Sequence, residues 1–394
     1  MRGLAQSRCL SLNMRVTHVI TRLIVGGAQE NTLATVAGLR RISGLEVYLI
    51  SGPTTGPEGS LEAEAENLTV MPELVRPIHP LKDWQALGKL EKIFREQKPD
   101  VVHTHSGKAG ILGRLAARRA GVPIIVHTIH GPSFGTFQSA PANFIFRSAE
   151  KFAGRATTHF VVVADAMKEQ YLAAGIGCPE QYTKIFSGFV LEPFLAAKND
   201  LGLRSSLGIA PGDFVNGKIA RLFELKGHDD LFAMAPELIR QNPKIKFLLI
   251  GDGPWRGRFE NLAETLGLKN HFVLTGLVRP DEVPKYTGIM DTLVHLSLRE
   301  GLPRALPQAM AAGKPVVAYD CDGAREACRD GETGFLVQPG DLATLKTRLL
   351  QLAGDAALCQ RLGQTGQQFA LENFPVEKMV RDIYHLYMRL AANH

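Results

Sequence analysis

The sequence predicts an α/β protein of two doubly wound parallel sheets that face each other across an interdomain cleft. Three observations carry this. The chain has 394 residues, more than one core usually serves at roughly 100 to 200 residues per domain. Short β-branched runs alternate with helical stretches from end to end, the pattern of repeated βα units. Between two such series lies an irregular Gly-, Pro- and Ser-bearing stretch, residues 187–213.

The first series comprises 15–20, 47–50, 101–104, 124–128 and 160–163. Each is a short run rich in β-branched residues, four to six long, followed by a Gly-bearing loop and an amphipathic segment, as expected of buried parallel strands. The second series restarts at 215–219 and continues at 246–250, 272–274, 292–296 and 315–318. Residues 376–391 (VEKMVRDIYHLYMRLA) space Met379, Val380, Ile383, Leu386, Tyr387 and Leu390 as a helix with one apolar face, which must pack on something. The expected organisation is an N-terminal extension 1–13, a first domain 14–195, a second domain 196–375 and a C-terminal helix 376–394 packing back on the first. Open parallel sheets bind ligands at the carboxyl ends of their strands, so the cleft is the expected site.

Composition narrows the function. With Lys+Arg 45 against Asp+Glu 39, the net charge is +6, and 45% of residues are hydrophobic. That excludes a disordered or fibrous chain and argues against a dedicated nucleic-acid binder, while leaving room for a basic patch that meets a phosphorylated ligand or an anionic membrane. Cys9, Cys178, Cys321, Cys328 and Cys359 are scattered without a CxxC pair, which fits reduced thiols in the cytoplasm. No apolar run reaches the roughly 18 residues of a membrane-spanning helix, and residues 1–13 do not read as a signal peptide.

The richest segment is 298–318, LREGLPRALPQAMAAGKPVVA. Pro307 has no N–H to give a helix, so the helix begins no earlier than about Arg304. Glu300, Gly301 and Leu302 then form the loop leaving the strand, with free amides aimed into the cleft. Amides at a helix start suit a diphosphate, and a carboxylate beside them suits sugar hydroxyls.

This segment resembles the E-x7-E element of retaining GT-B glycosyltransferases of family 4. Glu300, Gly301, Leu302, Pro303, Ala309, Met310, Ala311, Gly313, Pro315, Val316, Val317 and Ala318 fall in place. Gln308 stands where the family has its second Glu, the ribose ligand. Gly26-Gly27-Ala28-Gln29 resembles the family's GGAE loop at the donor phosphates. Arg221 and Lys226, in IARLFELKGH, match the pair that neutralises the nucleoside diphosphate. Gly251-Asp252-Gly253-Pro254 resembles the GDGP loop of the nucleotide pocket, and His130 matches the His that reaches the transferred sugar.

The resemblance implies a GT-B enzyme with two Rossmann-like domains. It would be cytoplasmic and peripheral at the inner face of the cell membrane, needing no cofactor. It would move a hexose from a nucleotide-sugar donor, UDP-linked, to a glycan or polyprenyl-linked acceptor of polysaccharide or lipopolysaccharide assembly. His130, Glu300, Arg221 and Lys226 would be catalytic. Gly26, Gly27, Gly251, Gly253, Gly301, Leu302 and Gln308 would join Arg221, Lys226 and Glu300 in holding the donor. No metal site is expected. His103 and His105 alternate on one strand face without a Cys or carboxylate at ligand spacing, and Asp320-Cys321-Asp322 is a short loop pair. Phe144, Ile145 and Phe146, near Arg147, Lys151 and Arg155 and with Lys108, Arg114, Arg118 and Arg119 upstream, form an expected membrane-facing patch. The rival readings are a catalytically retired nucleotide-sugar-binding protein, motivated by Gln308, and a GT-B UDP-sugar 2-epimerase, for which no acid/base set is apparent.

Overall fold

The computed structural model describes residues 13–56, 58–105 and 107–393. Apart from Asn13, the expected extension 1–13 lies outside these residues. Seven parallel strands form the first sheet: β1 (Met14–Ile20), β2 (Leu45–Ser51), β3 (Leu68–Val70), β4 (Val101–His105), β5 (Ile124–Ile129), β6 (His159–Val162) and β7 (Tyr182–Lys184), ordered β3-β2-β1-β4-β5-β6-β7. Six form the second: β8 (Phe214–Ile219), β9 (Ile245–Ile250), β10 (Phe272–Gly276), β11 (Thr292–His295), β12 (Val316–Tyr319) and β13 (Gly334–Val337), ordered β10-β9-β8-β11-β12-β13. In each sheet the strand order reverses beside the first strand, between β1 and β4 and between β8 and β11. That reversal opens a crevice at the carboxyl ends, where two successive crossovers leave on opposite faces.

Every run expected from the sequence is a strand. The strands it did not anticipate, β3, β7 and β13, lie at sheet edges. β3 and β7 have only three residues each, LTV and YTK, too short to show a period. The stretch 187–213 is more regular than expected. It holds the short helices Glu192–Leu195 and Leu201–Ser206, the second capped by Asp200, whose carboxylate accepts from Gly202 N at 2.8 Å and Leu203 N at 3.1 Å. Phe189, Leu191 and Phe194 in this stretch are buried in the core of the second half. Their burial, not the turn residues around them, decides its structure.

The terminal helix Val376–Ala391 sets Met379, Val380, Ile383, Leu386 and Tyr387 into the core of the first sheet beside Val16, Val36 and Leu39. The chain returns there through Phe189, whose N–H donates to Phe374 O at 3.0 Å and whose carbonyl accepts from Val376 N at 3.2 Å. Gly38, on the helix Gly27–Arg40, lets the two helices touch. A Cβ there would stand 2.4 Å from Val380 Cγ2. Among the described residues no helix is long and apolar enough to cross a membrane.

Candidate active site

The site is built where the loops after β8 and β11 lock together. Leu225 and Gly227, on either side of Lys226, both adopt left-handed backbone at φ 63° and 66°. For a leucine this costs of order 1 kcal/mol or more, so surrounding contacts must hold it. Leu225 O accepts from Leu298 N at 2.8 Å and from Ser297 Oγ at 3.3 Å, and a Cβ on Gly227 would fall 2.0 Å from Leu296 O. Held this way, Lys226 Nζ lies 2.5 Å from Glu300 Oε1 and 3.4 Å from Ser297 Oγ. Burial works to raise the Glu300 pKa, but the Lys226 charge and the neighbouring His295 outweigh it and hold the carboxyl well below the usual carboxylate range.

Gly251 and Gly253 bring the loop after β9 onto the Arg221 segment. Cβ atoms there would each stand 2.3 Å from a backbone oxygen, of Ala220 and Leu222 respectively. The Gly253 amide is already taken, donating to Asp252 Oδ1 at 2.7 Å, so these glycines position Arg221 by close approach. Arg221 is 43% exposed, with Nη1 3.6 Å from Glu58 Oε1 of the first half. Glu58 is also paired with Arg22 at 3.0 Å. Burial opposes its ionisation, but Arg22, Arg221 and Arg76 hold its pKa below the ordinary value. Arg76 also bears on Arg299, whose pKa burial lowers. Arg22, Glu58 and Arg76 were missed in the sequence because they come from separate loops and share no motif, and Arg299, although next to Glu300 in the richest segment, matches no residue of the family element.

Across the cleft the halves meet at Gly301. A Cβ there would lie 2.0 Å from His130 O and 3.0 Å from Gly131 N, so only glycine fits. Arg304 caps the helix Ala305–Ala311, as Pro307 requires, and its Nη1 donates to Gly27 O at 3.2 Å and Glu30 Oε2 at 3.0 Å. Gly26 and Gly27 open the facing helix Gly27–Arg40. One expectation is corrected. The amide of Glu300 is not free, because it donates to Asp322 Oδ2 at 2.8 Å. Gln308 is half-exposed on the second turn of its helix. His130 is half-buried, with Nε2 3.0 Å from His105 Nδ1. Burial and the Arg304 charge push its pKa down to about 3, so the ring is neutral at working pH.

The structure adds detail to two other readings and corrects a third. His103 and His105 do have a third partner, His18 of β1, and ligand nitrogens of the three lie within 4.8 Å of one another. Asp320 is tied to Arg325 and Gln338, and Asp322 to the Glu300 amide, so both carboxylates serve the loop. Arg114 leaves the basic patch. It is fully buried, 2.5 Å from Glu150 Oε2, and Lys108 is held by Asp83. Phe146 leaves the patch too, half-buried against the core of the first half, whereas Phe144 and Ile145 are exposed beside Arg147, Lys151 and Arg155, with Phe152, not anticipated from the sequence, exposed next to them.

Beneath Lys226 and Glu300, the ammonium of Lys218 on β8 is 1% exposed and has no hydrogen-bond partner among the described residues. His228 and His295 lie in the same buried group, and His295 Nε2, although 3.4 Å from Glu300 Oε1, makes no hydrogen bond among the described residues. Burial, reinforced by the Lys226 charge, lowers the Lys218 pKa from 10.5 to about 7.

Comparison with known proteins bears on the family and the fold. The family model for Glycosyl transferases group 1 matches residues 202–369, and that for Glycosyltransferase Family 4 matches residues 25–185. The UDP-Gal:alpha-D-GlcNAc-diphosphoundecaprenol alpha-1,3-galactosyltransferase of Escherichia coli is 28% identical over 96% of this chain and 100% of its own length. EpsD of Bacillus subtilis (strain 168) is 32% identical over 76% of this chain and 80% of its own. The crystal structure of Anabaena HepE in complex with UDP and glucose superposes with a TM-score of 0.80 at 25% identity, covering 95% of this chain and 99% of HepE.

Lys218 makes stability depend on pH in a definite direction. Between pH 7 and 10.5 the unfolded chain binds a proton that the folded chain does not, so stability rises with pH over that range. Below pH 7 the full cost of a buried ammonium applies. Lys218→Met should therefore be more stable than wild type at pH 6, by an amount on the order of 3 to 5 kcal/mol, and the gap should shrink by pH 9. Denaturant unfolding at both pH values checks this, and parallel pH profiles would show that Lys218 is not strained by burial.

Proposed function

The chain belongs to the glycosyl transferases of group 1 and is a GT-B glycosyltransferase, and from that premise we propose that it moves a hexose from a UDP-sugar to a glycan or polyprenyl-linked acceptor, with retention and without a metal ion. The observation that carries this is the cationic cleft at the ends of β8 and β11. Arg221 and Lys226 both act on Glu300 there, opposite His130. The diphosphate of a donor would replace the carboxylates that now pair with these cations, and charge growing on the leaving oxygen would be met by two fixed positive heads. The amides near Gly27 and Leu302 would add to this. Glu300 and the neutral His130 would orient the sugar, and attack from the face the diphosphate leaves would retain configuration.

Residues 14–195 with the terminal helix 376–394 would hold the acceptor, and 196–375 the donor. The Escherichia coli relative is named for a UDP-Gal donor and a diphosphoundecaprenol acceptor, and the HepE structure holds UDP and glucose, which favours UDP and a lipid-linked acceptor here. The exposed Phe144, Ile145 and Phe152 beside basic side chains would rest on anionic membrane on the cytoplasmic side. The retired-protein reading rests on Gln308 alone.

Incubation with UDP-, GDP- and ADP-sugars and candidate acceptors, reading nucleotide release and product, tests the function. UDP-sugars should be consumed, and exclusive use of a GDP-sugar would overturn the donor. Arg221→Ala or Lys226→Ala should lower turnover at least ~100-fold, about 2.7 kcal/mol, with folding nearly untouched in Arg221→Ala and weakened in Lys226→Ala, which leaves Glu300 unpaired. Near-normal turnover in both at saturating substrates would remove them from the leaving-group site.

Gln308 sets the affinity for the nucleotide. A neutral hydrogen bond contributes about 1 kcal/mol, against roughly 1.5 to 3 for one to a carboxylate. Gln308→Glu should therefore bind UDP about 3- to 30-fold more tightly than wild type, and Gln308→Ala less tightly. Calorimetry that finds all three equal would show that residue 308 does not touch the ribose.

A further inference from the structure

Behind His130 runs an unbroken file of buried polar side chains. His130 Nε2 lies 3.0 Å from His105 Nδ1, and His105 Nε2 lies 2.9 Å from His18 Nδ1. His18 Nε2 is 3.4 Å from the hydroxyl of Tyr387, which is 2.5 Å from His103 Nδ1. The file ends at Thr128 Oγ1, 2.6 Å from His103 Nε2. It joins β1, β4 and β5 to the terminal helix, and His18, His103, His105, Thr128 and Tyr387 are each at most 3% exposed.

Charge and valence fix how protons sit along it. Burial lowers the pKa of all four histidines in the file, to about 3 for His18, and raises that of Tyr387 well above 10, so every member is neutral. A neutral imidazole has one N–H and one bare nitrogen, and a hydroxyl has one hydrogen. Tyr387 has no hydrogen-bond partner outside the file among the described residues, so its buried hydroxyl gives its hydrogen to one neighbour and accepts from the other, and the file points one way throughout. Thr128 chooses the way. Its hydroxyl has no other hydrogen-bond partner among the described residues, and a buried hydroxyl that only accepted would waste its hydrogen at about 1 to 3 kcal/mol. Thr128 thus donates to His103, His103 Nδ1–H to Tyr387, Tyr387 O–H to His18, His18 Nδ1–H to His105, and His105 Nδ1–H to His130 Nε2.

We propose that Tyr387 and Thr128 are positioning residues: through His103, His18 and His105 they fix His130 as the Nδ1–H tautomer, which presents an N–H donor to the cleft. This makes His130 a hydrogen-bond donor to a sugar oxygen and excludes it as a base. Only that consequence rests on the proposed function; the tautomer itself does not. The three clustered histidines could instead suggest a metal cage. However, His103 and His105 are stacked at 4.4 Å and His18 and His105 at 5.2 Å, with both ring nitrogens of each already engaged.

The test is two-bond 1H–15N NMR of the full chain labelled with 15N-histidine, which distinguishes the two imidazole tautomers. Wild-type His130 should be Nδ1–H alone. In Tyr387→Phe the drive from Thr128 is cut, so both tautomers should appear, with kcat about 10- to 100-fold lower and the donor KM unchanged. Thr128→Val, which keeps the shape and removes the first donor, should give the same mixture if Tyr387→Phe is too unstable to study. An Nε2–H His130 in wild type, an unchanged tautomer in both variants, or a stoichiometric metal ion on the histidines in the purified protein would each overturn the proposal. A shifted tautomer with undiminished kcat would keep the file and refute the sugar contact of His130.

Discussion

Lys226 and Glu300 pair at 2.5 Å where the loops after β8 and β11 meet, and this pair sets the charge of the whole cleft. Around it Arg22, Arg76, Arg221 and Arg299 converge on Glu58, Glu300 and Asp322, so cations outnumber carboxylates. Like charges held together in a partly desolvated cleft repel one another, and only a rigid frame keeps them there. Part of that frame is backbone: Leu225 in left-handed conformation beside Lys226, with Gly227, Gly251 and Gly253 allowing loops to lie directly on one another. A cleft of this kind gains most from a ligand that brings its own negative charge, as a diphosphate does.

The same need for close approach governs the contact between halves. Gly301 touches the His130–Gly131 backbone, and Arg304 reaches Gly27 and Glu30, so the carboxyl ends of the two sheets are pressed together around the pair. The terminal helix ties this arrangement to the first sheet. It buries its apolar face beside β1, crosses Gly38, and brings Tyr387 beneath the histidines that back His130.

The paired βα units and the cleft were legible in the sequence because short runs rich in Val and Ile alternate regularly with helical stretches, even where β1 and β4 carry histidines and threonines among them. β3 and β7 were not, since three half-exposed residues have no readable period. At the site, Pro307 was enough to place the helix start at Arg304, and the motif around Glu300 carried the family. The pairing of Lys226 with Glu300, and the loss of the Glu300 amide to Asp322, depend on loops distant in sequence, and no local pattern encodes them. Arg114 looked like a surface charge because its partner, Glu150, is a helix away. Lys218 and Tyr387 looked like ordinary strand and helix positions; only the packing shows that one ammonium is buried without a partner among the described residues and one phenol joins two histidines.

If the cleft's own cations carry the leaving diphosphate, no ion is needed to do so. Turnover of a UDP-sugar by the wild-type protein in excess EDTA tests this most directly. The predicted result is a rate equal to that without chelator. A rate abolished by EDTA and restored by Mg²⁺ or Mn²⁺ would contradict it, because a bound ion would then be carrying the charge assigned to Arg221 and Lys226.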